Sequence, residues 1–217
     1  MAKAGPRSDG GSRGARGSAE TRAALVAGAV TALREKGYAG ASAREIARNA
    51  GCNQSLVFYH FGTVVDLLLA ALDHVSDERS LRYREAVERS GSLGELIHTA
   101  RTVFDEDLDK GYVTVLVEMI AGAQSTPGLG AEVAARIGPW RDFTTDVAQD
   151  VLSASPLALL LPAREVAHTV VALYLGLEML ASLDGDRDSA LALFDRAGLL
   201  AVLADAYLAR QDTAPDA

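Results

Sequence analysis

The chain of 217 residues contains a single cysteine, Cys52, and only four histidines. One cysteine excludes an internal disulfide bond and a metal site built from several thiolates. The histidines, His60, His74, His98 and His168, show neither the HxxxH nor the HExxH spacing that places two imidazoles on one helix face to bind zinc. The composition therefore gives no support for a zinc enzyme, and we expect neither a metal nor a cofactor.

The sequence also has little that would direct it to a membrane. Its longest apolar stretch, Val166–Leu183, is interrupted by His168 and Glu178, so we predict no membrane-spanning helix. The first residues are rich in Gly, Ser and Arg and lack the apolar core of a secretory signal. These features predict a cytoplasmic protein without a membrane partner.

Basic side chains are in the minority, 21 against 29 acidic ones, which gives a formal net charge of -8. Taken whole, that charge argues against non-specific binding to nucleic acid. The charge is unevenly distributed, however. Residues 1–66 hold nine basic and five acidic side chains, a balance of +4, and residues 67–217 hold 12 and 24, a balance of -12. A basic first third fits attraction of that part of the chain to phosphate groups.

Helical periodicity and capping signals predict an all-α fold with about nine helices. Residues 1–18 are of low complexity and are predicted to form a flexible basic arm. Residues 19–66 are predicted to form a three-helix domain, and residues 67–217 a larger helical domain. The predicted helices cover residues 19–36, 43–49, 54–60, 64–89, 93–110, 112–123, 127–153, 162–183 and 188–210.

The segment from Ala43 to His60 has the pattern of a helix-turn-helix. A small residue, Ala47, lets the second helix cross closely, and Gly51 permits a turn with positive φ. The apolar residues Ile46, Cys52 and Val57 would hold the two helices together. The second helix then exposes short polar and aromatic side chains that suit base edges and thymine methyl groups in a major groove. These residues are Asn53, Gln54, Ser55, Leu56, Phe58 and Tyr59.

Residues Thr21–Leu72 resemble the DNA-binding domain of the TetR family of bacterial repressors. The resemblance implies a dimeric, ligand-responsive repressor that binds a pseudo-palindromic operator, is released by an unknown small molecule, and is not an enzyme. The alternative is an activator or a constitutive DNA-binding protein without a ligand. The matching stretches are EKGY at Glu35–Tyr38, SAREIA at Ser42–Ala47, AGCN at Ala50–Asn53 and LVFYHFG at Leu56–Gly62.

In addition to the side chains expected to contact bases, we expect Arg44, His60 and Thr63 to contact the DNA backbone. The chain departs from the family pattern at two positions. Val64 stands where the family usually has a lysine that contacts a phosphate, and Phe58 stands where it often has tyrosine. Arginines of the N-terminal arm would compensate by reaching the backbone or the minor groove. These are Arg7, Arg13 and Arg16.

The resemblance further implies a ligand cavity among the C-terminal helices and a dimer interface formed by the last two helices of each subunit. Asp105–Asp107 together with Asp109 is expected to be a solvated face. The candidate ligand-binding residues are polar or polarisable side chains within otherwise apolar helices. They are Phe104, Met119, Trp140, Phe143, His168, Tyr174 and Glu178.

Overall fold

A computed structural model describes residues 10–153 and 160–212, with side chains described for residues 17–153 and 160–203. Across these residues the chain forms nine α-helices and no β-strand, so the predicted all-α fold is confirmed. The helices are α1 (Gly10–Gly40), α2 (Ala43–Asn49), α3 (Ser55–Phe61), α4 (Val64–Arg89), α5 (Leu93–Lys110), α6 (Tyr112–Ala123), α7 (Leu129–Ser153), α8 (Ala163–Asp184) and α9 (Arg187–Asp212).

Helix starts follow the capping residues seen in the sequence. The Oγ atoms of Ser42 and Ser92 accept hydrogen bonds from the backbone N–H groups three residues later, at 3.3 and 3.2 Å. Thr63 Oγ1 accepts from the Asp66 N–H at 3.0 Å in the same way. Each bond satisfies an N–H group that has no partner within the helix.

Two helix starts differ from the sequence prediction by more than one residue. α1 begins at Gly10, inside the segment predicted to be a flexible arm, and its helical geometry is interrupted at Gly37, where the predicted helix ends. α7 begins at Leu129 rather than at Pro127. The reason is a turn after α6 in which Gly128 has φ of 82°, a conformation that favours glycine and cannot belong to an α-helix.

The chain divides into two compact units, residues 1–74 and residues 75–217. The division falls within α4, after the boundary at Asp66 that the sequence suggested. In the first unit, Leu25, Leu33, Ile46 and Val57 are fully buried and form the core that joins α1 to the helix-turn-helix.

A close approach of α1 to α2 occurs at Gly28, which sequence reasoning did not single out. A Cβ atom at this position would lie 2.7 Å from the Ile46 carbonyl oxygen and 3.1 Å from the Ala50 nitrogen. The Asn49 side-chain amide also donates to the Gly28 carbonyl oxygen at 3.3 Å. Because these contacts are with backbone atoms, a larger residue at position 28 would force the helices apart.

In the second unit, α5 packs along α9 and α7 packs along α8. By length and composition α8 could cross a membrane, which corrects the expectation that no apolar segment would suffice. Within the described residues it is the one such helix, unless the bent α3–α4 pair is counted as a single span. Glu178 in α8 is nevertheless fully buried against other helices of the protein.

Candidate DNA interface and interior ion cluster

The turn between α2 and α3 has the geometry of a helix-turn-helix. Gly51 has φ of 65°, and the Cys52 N–H donates to the Ala47 carbonyl oxygen at 3.0 Å. The Asn53 carboxamide oxygen then accepts from both the N–H and the hydroxyl of Ser55, each at 2.9 Å. The Asn53 side chain therefore closes the turn that precedes α3, where Gln54 holds the N-cap position, and its oxygen is engaged within the protein.

α3 presents one exposed side to solvent, which we call the recognition face. Val57 is fully buried, whereas Tyr59, two positions later and on the opposite side of the helix, is 79% exposed. Phe58 is 49% exposed, and Leu56 is half-buried. Large aromatic rings without cover on a short helix fit contact with another surface rather than a folding role. The recognition face consists of Asn53, Gln54, Ser55, Phe58 and Tyr59.

The flanking residues predicted to reach phosphates differ in how they are held. Arg44 is exposed, and its neighbour Arg48, one turn further along α2, is paired with Glu45. The Thr63 hydroxyl donates to Asp66 Oδ2 at 2.6 Å, so it must exchange that bond to reach a phosphate. His60 is half-buried, with its ring edge-on to Tyr59 at 5.0 Å.

A group of charged residues lies inside the second unit, which we call the interior ion cluster: Arg79 and Arg82 of α4, Asp107 of α5 and Glu178 of α8. Arg79 Nε lies 2.7 Å from Asp107 Oδ2 and Arg82 Nη2 lies 2.6 Å from Asp107 Oδ1. Asp107 is 0% exposed, which corrects the expectation that it belongs to a solvated face. Two cations compensate its burial.

Glu178 is held less tightly than Asp107. Both of its carboxylate oxygens lie 3.3 Å from a single nitrogen, Arg79 Nη2. Burial raises the pKa of Glu178 to about 7 against the attraction of Arg79, whose charge is shared with Asp107. Those two carboxylates in turn raise the pKa of Arg79 well above its usual range against the effect of burial, so Arg79 stays charged. Near neutral pH, Glu178 is thus poised between its charged and neutral forms.

Aromatic rings surround the interior ion cluster. The Arg79 guanidinium lies over the rings of Trp140 and Tyr174, 5.4 and 5.7 Å from their centroids. Tyr83 packs edge-on against both rings and donates its hydroxyl to Tyr174. Burial raises the pKa of both tyrosine hydroxyls, so they remain neutral donors. Phe104 packs edge-on against Tyr174 at 5.1 Å.

The structure brings together five of the seven residues predicted to bind a ligand: Phe104, Trp140, Phe143, Tyr174 and Glu178. Phe143 belongs to this group because its ring contacts that of Trp140, with the two ring centroids 6.4 Å apart. Met119 is fully buried on α6. His168 is exposed on α8 and does not face Glu178. Although both residues lie on α8, His168 is exposed to solvent and Glu178 is buried.

Sequence reasoning missed the α4 side of the cluster. Arg79 and Tyr83 lie four and eight residues after Val75, which is buried. That spacing places them on the buried face of α4. Helical spacing alone could therefore have indicated that the side chains of Arg79 and Tyr83 point inwards. Their polar character, however, favoured a surface position.

α8 and α9 expose a large set of apolar side chains, which we call the apolar α8–α9 surface. Surface patches of this kind mark contacts with other molecules. Its members are Val170, Leu173, Met179, Leu180, Leu183, Leu193, Leu199, Leu200, Val202 and Leu203.

Taken together, a helix-turn-helix with an uncovered recognition face and an all-α fold define a DNA-binding regulatory protein. Residues 25–71 match the family model described as bacterial regulatory proteins, tetR family. Residues 25–71 therefore carry the DNA-binding domain that this family of transcriptional regulators shares.

Known relatives and structures agree with this assignment. The chain is 28% identical over 115 residues to the transcriptional regulator CymR of Pseudomonas putida, covering 51% of this chain and 54% of CymR. It is 42% identical over 59 residues to the transcriptional repressor Rv3405c of Mycobacterium tuberculosis, covering 27% of this chain and 31% of that protein. The chain thus spans about half or less of the length of these curated relatives.

The fold extends beyond the DNA-binding domain. The crystal structure of the transcriptional regulator FadR from Bacillus subtilis in complex with stearoyl-CoA has a TM-score of 0.69 with this chain. The alignment covers 83% of this chain and 97% of FadR at 14% sequence identity, so it shows a common fold.

Proposed function

We propose that the protein is a cytoplasmic repressor that binds a pseudo-palindromic operator as a homodimer and is released by a small molecule. The observation that carries the proposal is the uncovered recognition face of α3. Tyr59 and Phe58 offer apolar contact with thymine methyl groups, and Gln54 offers a donor and an acceptor for a base edge. The relative from Mycobacterium tuberculosis is named a repressor, which favours repression over activation.

The apolar α8–α9 surface supports the homodimer. Leu183 and Leu199 are 79% and 69% exposed, and a protein rarely leaves so many leucines of two helices in water. A second copy of the same surface would cover it through a two-fold axis. Two recognition faces related by that axis would then occupy successive major grooves of the operator.

The interior ion cluster and the rings around it support a small-molecule effector. An apolar interior with a few convergent polar groups is what a ligand site needs, and Arg79, Tyr174 and Glu178 provide such groups. FadR, which has the same fold, is crystallised with an acyl-CoA. An effector would release the operator by binding more tightly to a conformer whose two recognition helices no longer fit the DNA.

Selection of bound sequences from random DNA, followed by fluorescence anisotropy, tests the DNA-binding part. We expect tight, salt-dependent binding of the selected duplex by the full chain. Gln54→Ala with Tyr59→Ala should weaken binding to that duplex much more than to a scrambled one, because base contacts specify and phosphate contacts do not. Equal binding of the selected duplex by wild type and double variant would overturn the groove assignment.

A thermal-shift screen separates the effector-responsive repressor from the alternative, a constitutive regulator or an activator. A ligand of the folded state raises the unfolding temperature by mass action. We expect at least one compound class to raise the unfolding temperature and to weaken operator binding. A screen in which no stabilising compound changes operator binding would instead support the alternative.

A further inference from the structure

Arg22 of α1 is stacked on the ring of Phe61 at the end of α3. Its guanidinium carbon lies 4.8 Å from the ring centroid, and the side chain is exposed. Arg22 forms no ion pair with any residue that the structure describes. A cation is therefore held next to the recognition helix without an ion-pair partner among the described side chains.

The position of Arg22 follows from the packing of α1. It lies three residues before Leu25 and four before Val26, both buried, so it continues the face that packs against the helix-turn-helix by one further turn. Beyond the end of the core, this face meets Phe61. Thus the exposed side chain of Arg22 extends over the end of α3.

Phe61 places the guanidinium along a flank of α3. In helical projection, Phe61 lies between the buried direction of Val57 and the exposed direction of Phe58. Phe58 and Phe61 are three residues apart and therefore adjacent on the helix surface. When a helix lies in a major groove, the two phosphate backbones run along its flanks. The flank that Arg22 occupies would thus face a backbone.

We propose that Arg22, positioned by stacking on Phe61, is a phosphate-contacting residue that supplies the cation absent at Val64. This inference rests on the proposed DNA-binding function. The contact with the ring does not engage the N–H groups of the guanidinium as hydrogen-bond donors, so they remain available for a contact with phosphate oxygens. Of the arm arginines invoked for this role, Arg7 lies outside the described residues, and so do the side chains of Arg13 and Arg16. Arg22, in contrast, is already beside the recognition helix.

The test measures binding of the selected operator and of a scrambled duplex by the full chain over 50 to 200 mM salt. The variants are Arg22→Gln and a matched control, Arg34→Gln. Arg34 is also exposed and lies on the same helix, roughly 18 Å further along and turned away from the core. Both variants remove one positive charge from α1.

For Arg22→Gln we expect affinity for both duplexes to fall by the same factor. The slope of log K against log salt should decrease in magnitude by about 0.9 for each lost phosphate contact, or about 1.8 for a dimer. The ratio of wild-type to variant affinity should therefore shrink about twelvefold between 50 and 200 mM salt. Arg34→Gln should leave the slope unchanged.

The role of the ring is tested by Phe61→Leu, with folding checked by thermal unfolding. Phe61→Leu should weaken binding when Arg22 is present and have a smaller effect in the Arg22→Gln background, because the ring acts through the arginine. Arg22→Lys should largely retain the slope but lose affinity.

Three results would overturn the inference. The first is an unchanged slope and affinity for Arg22→Gln, and the second is a loss confined to the selected operator. The third is an equal effect of Phe61→Leu in both backgrounds. Failure of the wild-type protein to bind any selected duplex would instead refute the proposed function itself.

Discussion

Glu178 should make the stability of this protein fall as pH rises through neutrality. Its carboxyl group is 0% exposed, and its pKa is raised from 4.5 to about 7. A raised carboxyl pKa means that the folded state binds a proton more tightly than the unfolded chain. The resulting penalty on folding is absent below the unfolded pKa and complete above the folded one.

The expected size of this penalty follows from the shift in pKa. At about 1.4 kcal/mol for each pKa unit, the shift corresponds to about 3 kcal/mol of unfolding free energy, most of it lost between pH 5 and pH 7.5. Glu178→Gln retains the shape of the side chain and removes the ionisation. The unfolding free energy of wild type relative to Glu178→Gln should therefore drop by most of this amount across that range.

Urea unfolding at fixed protein concentration, repeated from pH 5 to pH 8, measures the difference. Glu165→Gln, an exposed substitution on the same helix, serves as the control and should give a curve parallel to that of wild type. A constant difference between wild type and Glu178→Gln over this range would show that the buried carboxylate ionises as it does in the unfolded chain. That outcome would refute the reasoning.

Two further substitutions test the packing in each unit. Gly28→Ala should destabilise the first unit by about 1 to 3 kcal/mol, because its Cβ atom would lie 2.7 Å from a backbone oxygen. The control is Gly17→Ala on the same helix, where an added Cβ atom would meet nothing within 4 Å, and it should be neutral or slightly stabilising. Equal effects of the two substitutions on thermal unfolding would contradict the close approach of α1 to α2. Arg79→Met should cost about 3 to 5 kcal/mol at pH 8 and less at pH 5, where Glu178 is protonated. Arg89→Met, which removes an exposed ion pair with Glu85, serves as the control and should cost under about 1 kcal/mol in denaturant unfolding. A similar loss of stability for both arginine substitutions would argue against the interior ion cluster.

The helix-turn-helix was predictable from the sequence because its determinants are local. The Ser42 cap, the positive φ of Gly51 and the spacing of Ile46 and Val57 act within a few residues of one another. The start of α7 was not predicted correctly. Thr126 and Pro127 have the composition of a helix start, but the turn at Gly128 delays the helix to Leu129.

The interior ion cluster depends on residues far apart in the chain. Arg79 and Glu178 are 99 positions apart, and Asp107 stands in an acidic run whose composition alone indicates a solvated surface. Only one residue of that run turns inwards, because Arg79 and Arg82 of α4 meet it there.

By itself, the sequence determined where the helices lie and which short segment forms the helix-turn-helix, since periodicity, caps and turn residues act over a few positions. The tertiary structure decided which polar side chains are buried together and which apolar ones remain exposed. His168 and Glu178 illustrate the difference, because both are polar residues of the apolar helix α8, yet only Glu178 faces a cation from another helix. That distinction depends on how helices pack, which no local pattern specifies.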